Sequence, residues 1–92
     1  VIIKHEDVDP KSKLRMINLS KVPVGRTHAQ HSHDSMEEIF YFTDGTGEVK
    51  INDEIVKVIA GDRVIIPAKS LHHVKNTGDR ELLYICLGIA LD

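Results

Sequence analysis

One cysteine, no surplus of positive charge and no long apolar run set the first limits on this 92-residue chain. With Cys86 alone, no disulfide can close within the chain and no thiolate cluster can hold a zinc ion, which fits a reducing, cytoplasmic setting. Cys86 stands inside "LLYICLGIA" without an adjacent cation to activate it, and reads as a small buried hydrophobe. A net charge of -2 and a pI near 6.3 leave no basic footprint for nucleic acid. No apolar run approaches the roughly 18 residues that a membrane span needs. The N-terminal "VIIKHEDVDP" carries its charges after a short apolar triplet, the wrong order for a secretory signal. The expectation is one soluble domain over residues 1–92, with no linker, repeat or low-complexity tract. A domain this small buries only roughly 60–65% of its unfolded surface, so a partner subunit or a metal ion would help it.

Helical periodicity is missing as well. Beyond the first dozen residues the segments alternate, or run short and apolar, between turn signals. The expected strands are Leu14–Leu19, Glu38–Thr43, Glu48–Asn52, Ile55–Ile59, Arg63–Pro67, His72–Lys75 and Glu81–Leu87. "NDE" at 52–54 suits a hairpin turn, because Asn and Asp tolerate the left-handed backbone such turns require. "DSMEEI" has the spacing of a helix capping box, but the aromatic and β-branched "IFYFT" that follows favours a strand. The pattern predicts an all-β fold, an antiparallel sandwich or barrel.

What the chain does have is a concentration of histidine. Five of its six histidines lie in "GRTHAQHSHDSMEEIFYFTDG" (25–45) or "GDRVIIPAKSLHHVKN" (61–76). On a strand, His31 and His33 would project from one face roughly 6.6 Å apart, within reach of one ion. Neutral imidazole is the commonest metal ligand, and a nearby carboxylate would add charge and hardness. Glu37 and Glu38 are the local candidates, and the alternation of "EIFYF" favours Glu38, which shares its face with Phe40 and Phe42. In the second stretch His72, Val74 and Asn76 share a face, while His73 goes with Lys75. A face carrying an amide suits a site better than one carrying Lys75, so His72 is preferred.

These stretches resemble the paired motifs of the cupins. The first motif, a Gly, five residues, HxH, four residues, Glu, six residues and Gly, is met by Gly25, His31, His33, Glu38 and Gly45. The second, a Gly, five residues, Pro-x-Gly, two residues, His, three residues and Asn, is met by Gly61, Pro67, His72 and Asn76, with Lys69 in place of its glycine. Only 15 residues separate Gly45 from Gly61, as in small single-domain cupins. Lysine at 69 costs about 1 kcal/mol if the turn is left-handed.

The resemblance implies a small antiparallel β-barrel, the jelly-roll-like double-stranded β-helix, with His31, His33, Glu38 and His72 holding one divalent ion. Three imidazoles and a carboxylate suit Fe, Mn, Ni or Zn, and four protein ligands leave positions open on an octahedral ion for a substrate. Phe40, Phe42 and Val74 are expected to line the pocket, with Asn76 behind the ligands. They are joined by one face of the last strand, either Leu83, Ile85 and Leu87 or Tyr84 and Cys86. His28 falls out of step with the HxH pair and is placed no closer than the mouth. The resemblance implies a metal-dependent enzyme on a small oxygenated molecule, of dioxygenase, isomerase or decarboxylase type; the alternatives are a non-catalytic binding module and a metal-free barrel of the sugar-epimerase sort. It also implies a homodimer, with "VIIKHEDV" as a candidate intersubunit strand.

Overall fold

The protein is described from a computed structural model that covers residues 2–28 and 32–91, so His31 lies outside the described residues. Eight strands follow in chain order: β1 (Ile3–Lys4), β2 (Leu14–Val22), β3 (Met36–Asp44), β4 (Thr46–Ile51), β5 (Glu54–Ile59), β6 (Arg63–Ile66), β7 (His72–Asn76) and β8 (Leu82–Ala90). One short 3-10 turn, His5–Asp7, is the sole departure from strand and loop among the described elements. No helix among the described residues is long and apolar enough to cross a membrane. Each expected strand is present, several longer by a few residues, and β1 is added at the N-terminal end.

The strands form two antiparallel sheets. One has the order β1-β2-β8-β3-β6 and the other β5-β4-β7. They pack face to face over a shared core, but they are not closed into the barrel that the sequence led us to expect. Closure needs continuous hydrogen-bonded ladders from one sheet to the other. On the β2 side, among the described residues, the segment after β2 reaches across to β7 through the Thr27–Lys75 bridge and the bonds from His28 N to Val74 O and from Asn76 N to Arg26 O.

Period-two patterning explains which side chains meet between the sheets. In β8, Leu82, Tyr84, Cys86, Gly88 and Ala90 are buried while Leu83, Ile85, Leu87 and Ile89 alternate on the outer face. In β3, Glu38, Phe40 and Phe42 point inward. From the smaller sheet Val49, Val58 and Val74 complete the core. Burying Phe42, which has no exposed surface, contributes about 2–3 kcal/mol.

Two backbone details tie the sequence to this packing. The two-residue turn between Ile51 and Glu54 holds Asn52 at φ 52°, as the "NDE" signal predicts. Gly45 sits at φ 91°, where a Cβ would lie 2.6 Å from the Glu81 carbonyl oxygen and 2.9 Å from Leu82 Cα. Only glycine fits between β3 and the start of β8, which gives the last glycine of the first motif a mechanical reason.

Candidate metal and ligand pocket

Glu38 is the centre of the site. It lies on the inner face of β3, 3% exposed, with its backbone paired to Gly88 of β8 and Ile66 of β6. A carboxylate in that position requires partners, and three side chains supply them. The Cys86 thiol donates to Oε2 at 2.9 Å. His72 Nε2 lies 3.2 Å and His33 Nε2 3.4 Å from Oε1.

Each histidine is delivered differently. His72 begins β7 and is 1% exposed, with the edge of the Phe40 ring 5.9 Å away between centroids. Its Nδ1 is 3.0 Å from the Ser70 carbonyl, an acceptor, so Nδ1 carries the hydrogen. In the neutral ring Nε2 then presents a lone pair to a carboxylate oxygen. Two acceptors at that distance repel unless a proton or a cation lies between them. His33 stands in the loop before β3, not on a strand as the HxH reading assumed, and its side chain is 37% exposed. That loop is fastened by Lys69, whose N–H donates to the His33 carbonyl at 2.6 Å from a left-handed turn with φ 65°. The turn is therefore the strained kind, and the lysine occupies it.

The protonation tendencies follow from these contacts. Burial, the largest influence on Glu38, pushes its pKa up, but the hydrogen bonds from His72 and Cys86 and the charges of His33 and His72 outweigh it and the net shift is downward. Burial pulls His72 down, yet its bonds to Glu38 and the Ser70 carbonyl and the charge of Glu38 bring it above its usual value. The pair thus favours carboxylate and imidazolium in the absence of an ion. Burial, with the Glu38 contact adding to it, drives Cys86 far above the ordinary thiol range, which keeps it a protonated donor.

A cavity of about 310 Å³ opens beside Glu38, His33 and Phe40. Its other walls come from β2 (Met16, Asn18, Ser20), from β8 (Tyr84, Cys86) and from His28. The open question about β8 is settled for Tyr84 and Cys86. Of the apolar residues expected in the wall, Phe40 lines the cavity, while Phe42 and Val74 are packed in the core. Asn76 is buried, donates its side-chain amide to the Val22 and Arg80 carbonyls and accepts from Gly78 N, so its described bonds brace the turn before β8. A larger hollow of about 480 Å³, lined by residues such as Thr46, Lys57, Asp62 and Thr77, contains no histidine.

The polar wall was not foreseen. His28 Nδ1 is 2.8 Å from the Tyr84 hydroxyl and Nε2 is 2.9 Å from the Lys21 carbonyl. In-register pairing of Asn18 with Cys86 and Ser20 with Tyr84 puts both β2 residues on the cavity side. Residues 14–19 read as a strand in the sequence, but nothing there revealed which face would meet the pocket.

Among the described residues, no group of three or more His, Cys, Asp or Glu side chains is arranged to hold a metal ion by itself. What the described residues supply is a convergence of two imidazoles on one carboxylate oxygen. Ligands at right angles on an ion, each about 2.1 Å away, stand about 3 Å apart. The separations of 3.2 and 3.4 Å match that spacing in donor type and distance.

The fold and the paired motifs define a class. The family model for the cupin domain matches residues 18–88, and the chain belongs to the cupin family, whose members often bind a metal. Within that family it is 30% identical over 80 residues to an oxalate-binding protein of Thermotoga maritima, covering 87% of this chain and 66% of the relative. It is also 37% identical over 65 residues to the uncharacterized protein MJ1618 of Methanocaldococcus jannaschii, covering 71% of this chain and 52% of that one. The chain thus spans about half to two thirds of these relatives. A crystal structure described as a predicted oxalate decarboxylase from T. maritima superposes with a TM-score of 0.81 at 30% identity, over 86% of this chain and 69% of that one. A cupin protein from Bacteroides fragilis gives a TM-score of 0.80 at 22% identity over 94% and 72%, a likeness of fold.

Proposed function

We propose that the chain is a metal-dependent cupin that binds a small oxygenated molecule and acts on it, with His31, His33, Glu38 and His72 around one divalent ion, Fe, Mn, Ni or Zn. The observation that carries this reading is the approach of His33 and His72 to the same buried oxygen of Glu38, beside a cavity of about 310 Å³. The pairing of His72 with Glu38 supports it, because a cation can take the place of the proton held between Nε2 and the carboxylate. When bound, such an ion supplies Lewis acidity, and electron transfer if it is redox-active. The chain's own part is to hold and orient the ligands, to exclude water with Phe40 and the β8 side chains, and to meet the molecule on the β2 side.

The names of the Thermotoga relatives support a small carboxylate as the molecule bound. Enzymes of decarboxylase, dioxygenase or isomerase type fit the open positions of the ion. The word "binding" in the name of one relative favours a second reading, a non-catalytic module that uses the same pocket. We further place the protein in the reducing cytoplasm, on its lone buried thiol, and in a homodimer.

The test is elemental analysis of untagged protein purified without chelator, beside His31→Ala/His33→Ala. Near-stoichiometric metal that disappears in the variant is the expected result. Absence of metal in both, after reconstitution with each of the four ions, sinks the metal-dependent reading. With metal in place, disappearance of added oxalate marks an enzyme, and oxalate that binds and persists marks the module.

A further inference from the structure

The polar wall of the cavity has a hydrogen-bond polarity that its contacts fix. Lys21 offers a carbonyl, which can only accept, so His28 Nε2 must carry a hydrogen. In the neutral ring Nδ1 is then bare, and the 2.8 Å contact with Tyr84 requires the phenol to donate its hydrogen to His28. The phenol stays protonated, because burial raises its pKa well above the ordinary tyrosine range. The Ser20 side chain lies on the same face, beside Tyr84 in the β2–β8 register. A hydroxyl has one hydrogen and two lone pairs, so Tyr84, with its hydrogen on His28, has nothing left to donate and can only accept.

Asn18 adds to the same polarity. Its Nδ2 is turned to the Met16 sulfur at 3.2 Å, and its Oδ1 is buried without a hydrogen-bond partner. The part of the wall that β2 and Tyr84 supply, beside the Glu38 cluster on the same sheet face, is thus rich in acceptors. A buried acceptor left without a donor is costly, and a site built of such groups rejects molecules that cannot supply one.

We propose that this wall selects a ligand carrying a hydroxyl hydrogen, namely a small hydroxycarboxylic acid, over oxo acids and plain dicarboxylates of the same size. The inference rests on the reading that the cavity takes a small oxygenated molecule at a metal-loaded Glu38 cluster, and it narrows the class of that molecule. The acid's carboxylate is directed to the cluster and its hydroxyl hydrogen to Tyr84 Oη, whether or not the hydroxyl oxygen also meets the ion.

L-Lactate and pyruvate form the matched pair that tests it, since they share a carbon skeleton and differ by the hydroxyl and Cα hydrogens, of which only the hydroxyl one can be donated. Their dissociation constants are measured by calorimetry on the Mn(II)-loaded protein and on Tyr84→Phe and His28→Ala, with circular dichroism to verify folding. The wild type is expected to bind lactate at least about fivefold more tightly than pyruvate, the worth of one hydrogen bond. Tyr84→Phe is expected to shrink that ratio by about fivefold, and the change in the ratio between wild type and variant is free of any intrinsic preference of the ion. His28→Ala frees the phenol hydrogen, so pyruvate binding is expected to improve. Pyruvate binding as tightly as lactate, or a lactate advantage undiminished in Tyr84→Phe, overturns the inference and leaves the metal-dependent reading intact. Failure of both acids to bind the loaded protein overturns the two together.

Discussion

At the scale of the residue, Glu38 and His72 act as one titrating unit, and the signs of their shifts define a pH window. Glu38 is lowered from its usual 4.5, so its contribution is present above that value and is lost as the pH falls through the lowered one. His72 is raised from its usual 6.5, so its contribution is present below that value and is lost as the pH rises through the raised one. Both operate between 4.5 and 6.5. The metal-free protein is therefore expected to melt highest in that window and lower on either side, with Glu38→Gln flattening the profile. A wild-type melting curve that is insensitive to pH above 6.5 would refute the pairing. Metal affinity should run the other way, strengthening as the pH rises, because an ion at His72 must displace its proton. Cys86 belongs to the same unit. Cys86→Ala removes a donor from a buried carboxylate and is expected to lower stability by about 1–2 kcal/mol, whereas Cys86→Ser retains a donor and most of that stability. Equal losses in the two variants, read by denaturant titration, would mean that the thiol only fills space.

At the scale of the element, the Lys69 turn joins the two halves of the motif. Its N–H holds the His33 carbonyl, and the same turn leads through Ser70, whose carbonyl orients His72. One loop thus sets both histidines, at the expense of a lysine in left-handed backbone. Lys69→Gly relieves that conformation and is expected to stabilise the fold by about 0.5–1 kcal/mol, less than the full strain because glycine loses more chain entropy on folding. A melting temperature that drops in this variant would show that the lysine side chain contributes something the backbone argument omits. The strain at Lys69 was legible in the sequence as the single mismatch to the motif. The strands were legible as well, since alternation and turn residues are local properties of the chain. Glu38 and His72 stood out because motif spacing translates directly into strand register. Three things were out of reach. The facing of Tyr84 and Cys86 depends on the pairing of β8 between β2 and β3, which is nonlocal. The cavity role of Asn18 and Ser20 depends on the same register. His28 reaches Tyr84 only because the segment after β2 crosses to β7, and no periodicity encodes that crossing.

At the scale of the whole molecule, the five-stranded sheet has a second face that this chain leaves largely open. Cross-strand partners share a face, and the registers line up Ile3, Ile17, Leu87, Ile39 and Ile65 in one row across all five strands. A second row runs through Leu19, Ile85 and Tyr41. Leu19 is 53%, Tyr41 45% and Ile65 57% exposed. Isolated apolar side chains on a surface need no explanation, but contiguous rows on one sheet face mark an association surface. Here β1 pairs with β2 of its own chain, so the homodimer proposed above does not need strand exchange; packing of this face against its copy suffices. A domain of 10.3 kDa gains most from such burial, because its own core is small. Light scattering at micromolar concentration should give twice the chain mass. Leu19→Glu and Ile65→Glu together should halve it without unfolding the chain, since both side chains already face solvent in the monomer and surface changes cost little. A wild-type mass near 10 kDa would remove the dimer. A dimer that persists in the double variant would move the interface elsewhere and leave the apolar rows to some other partner.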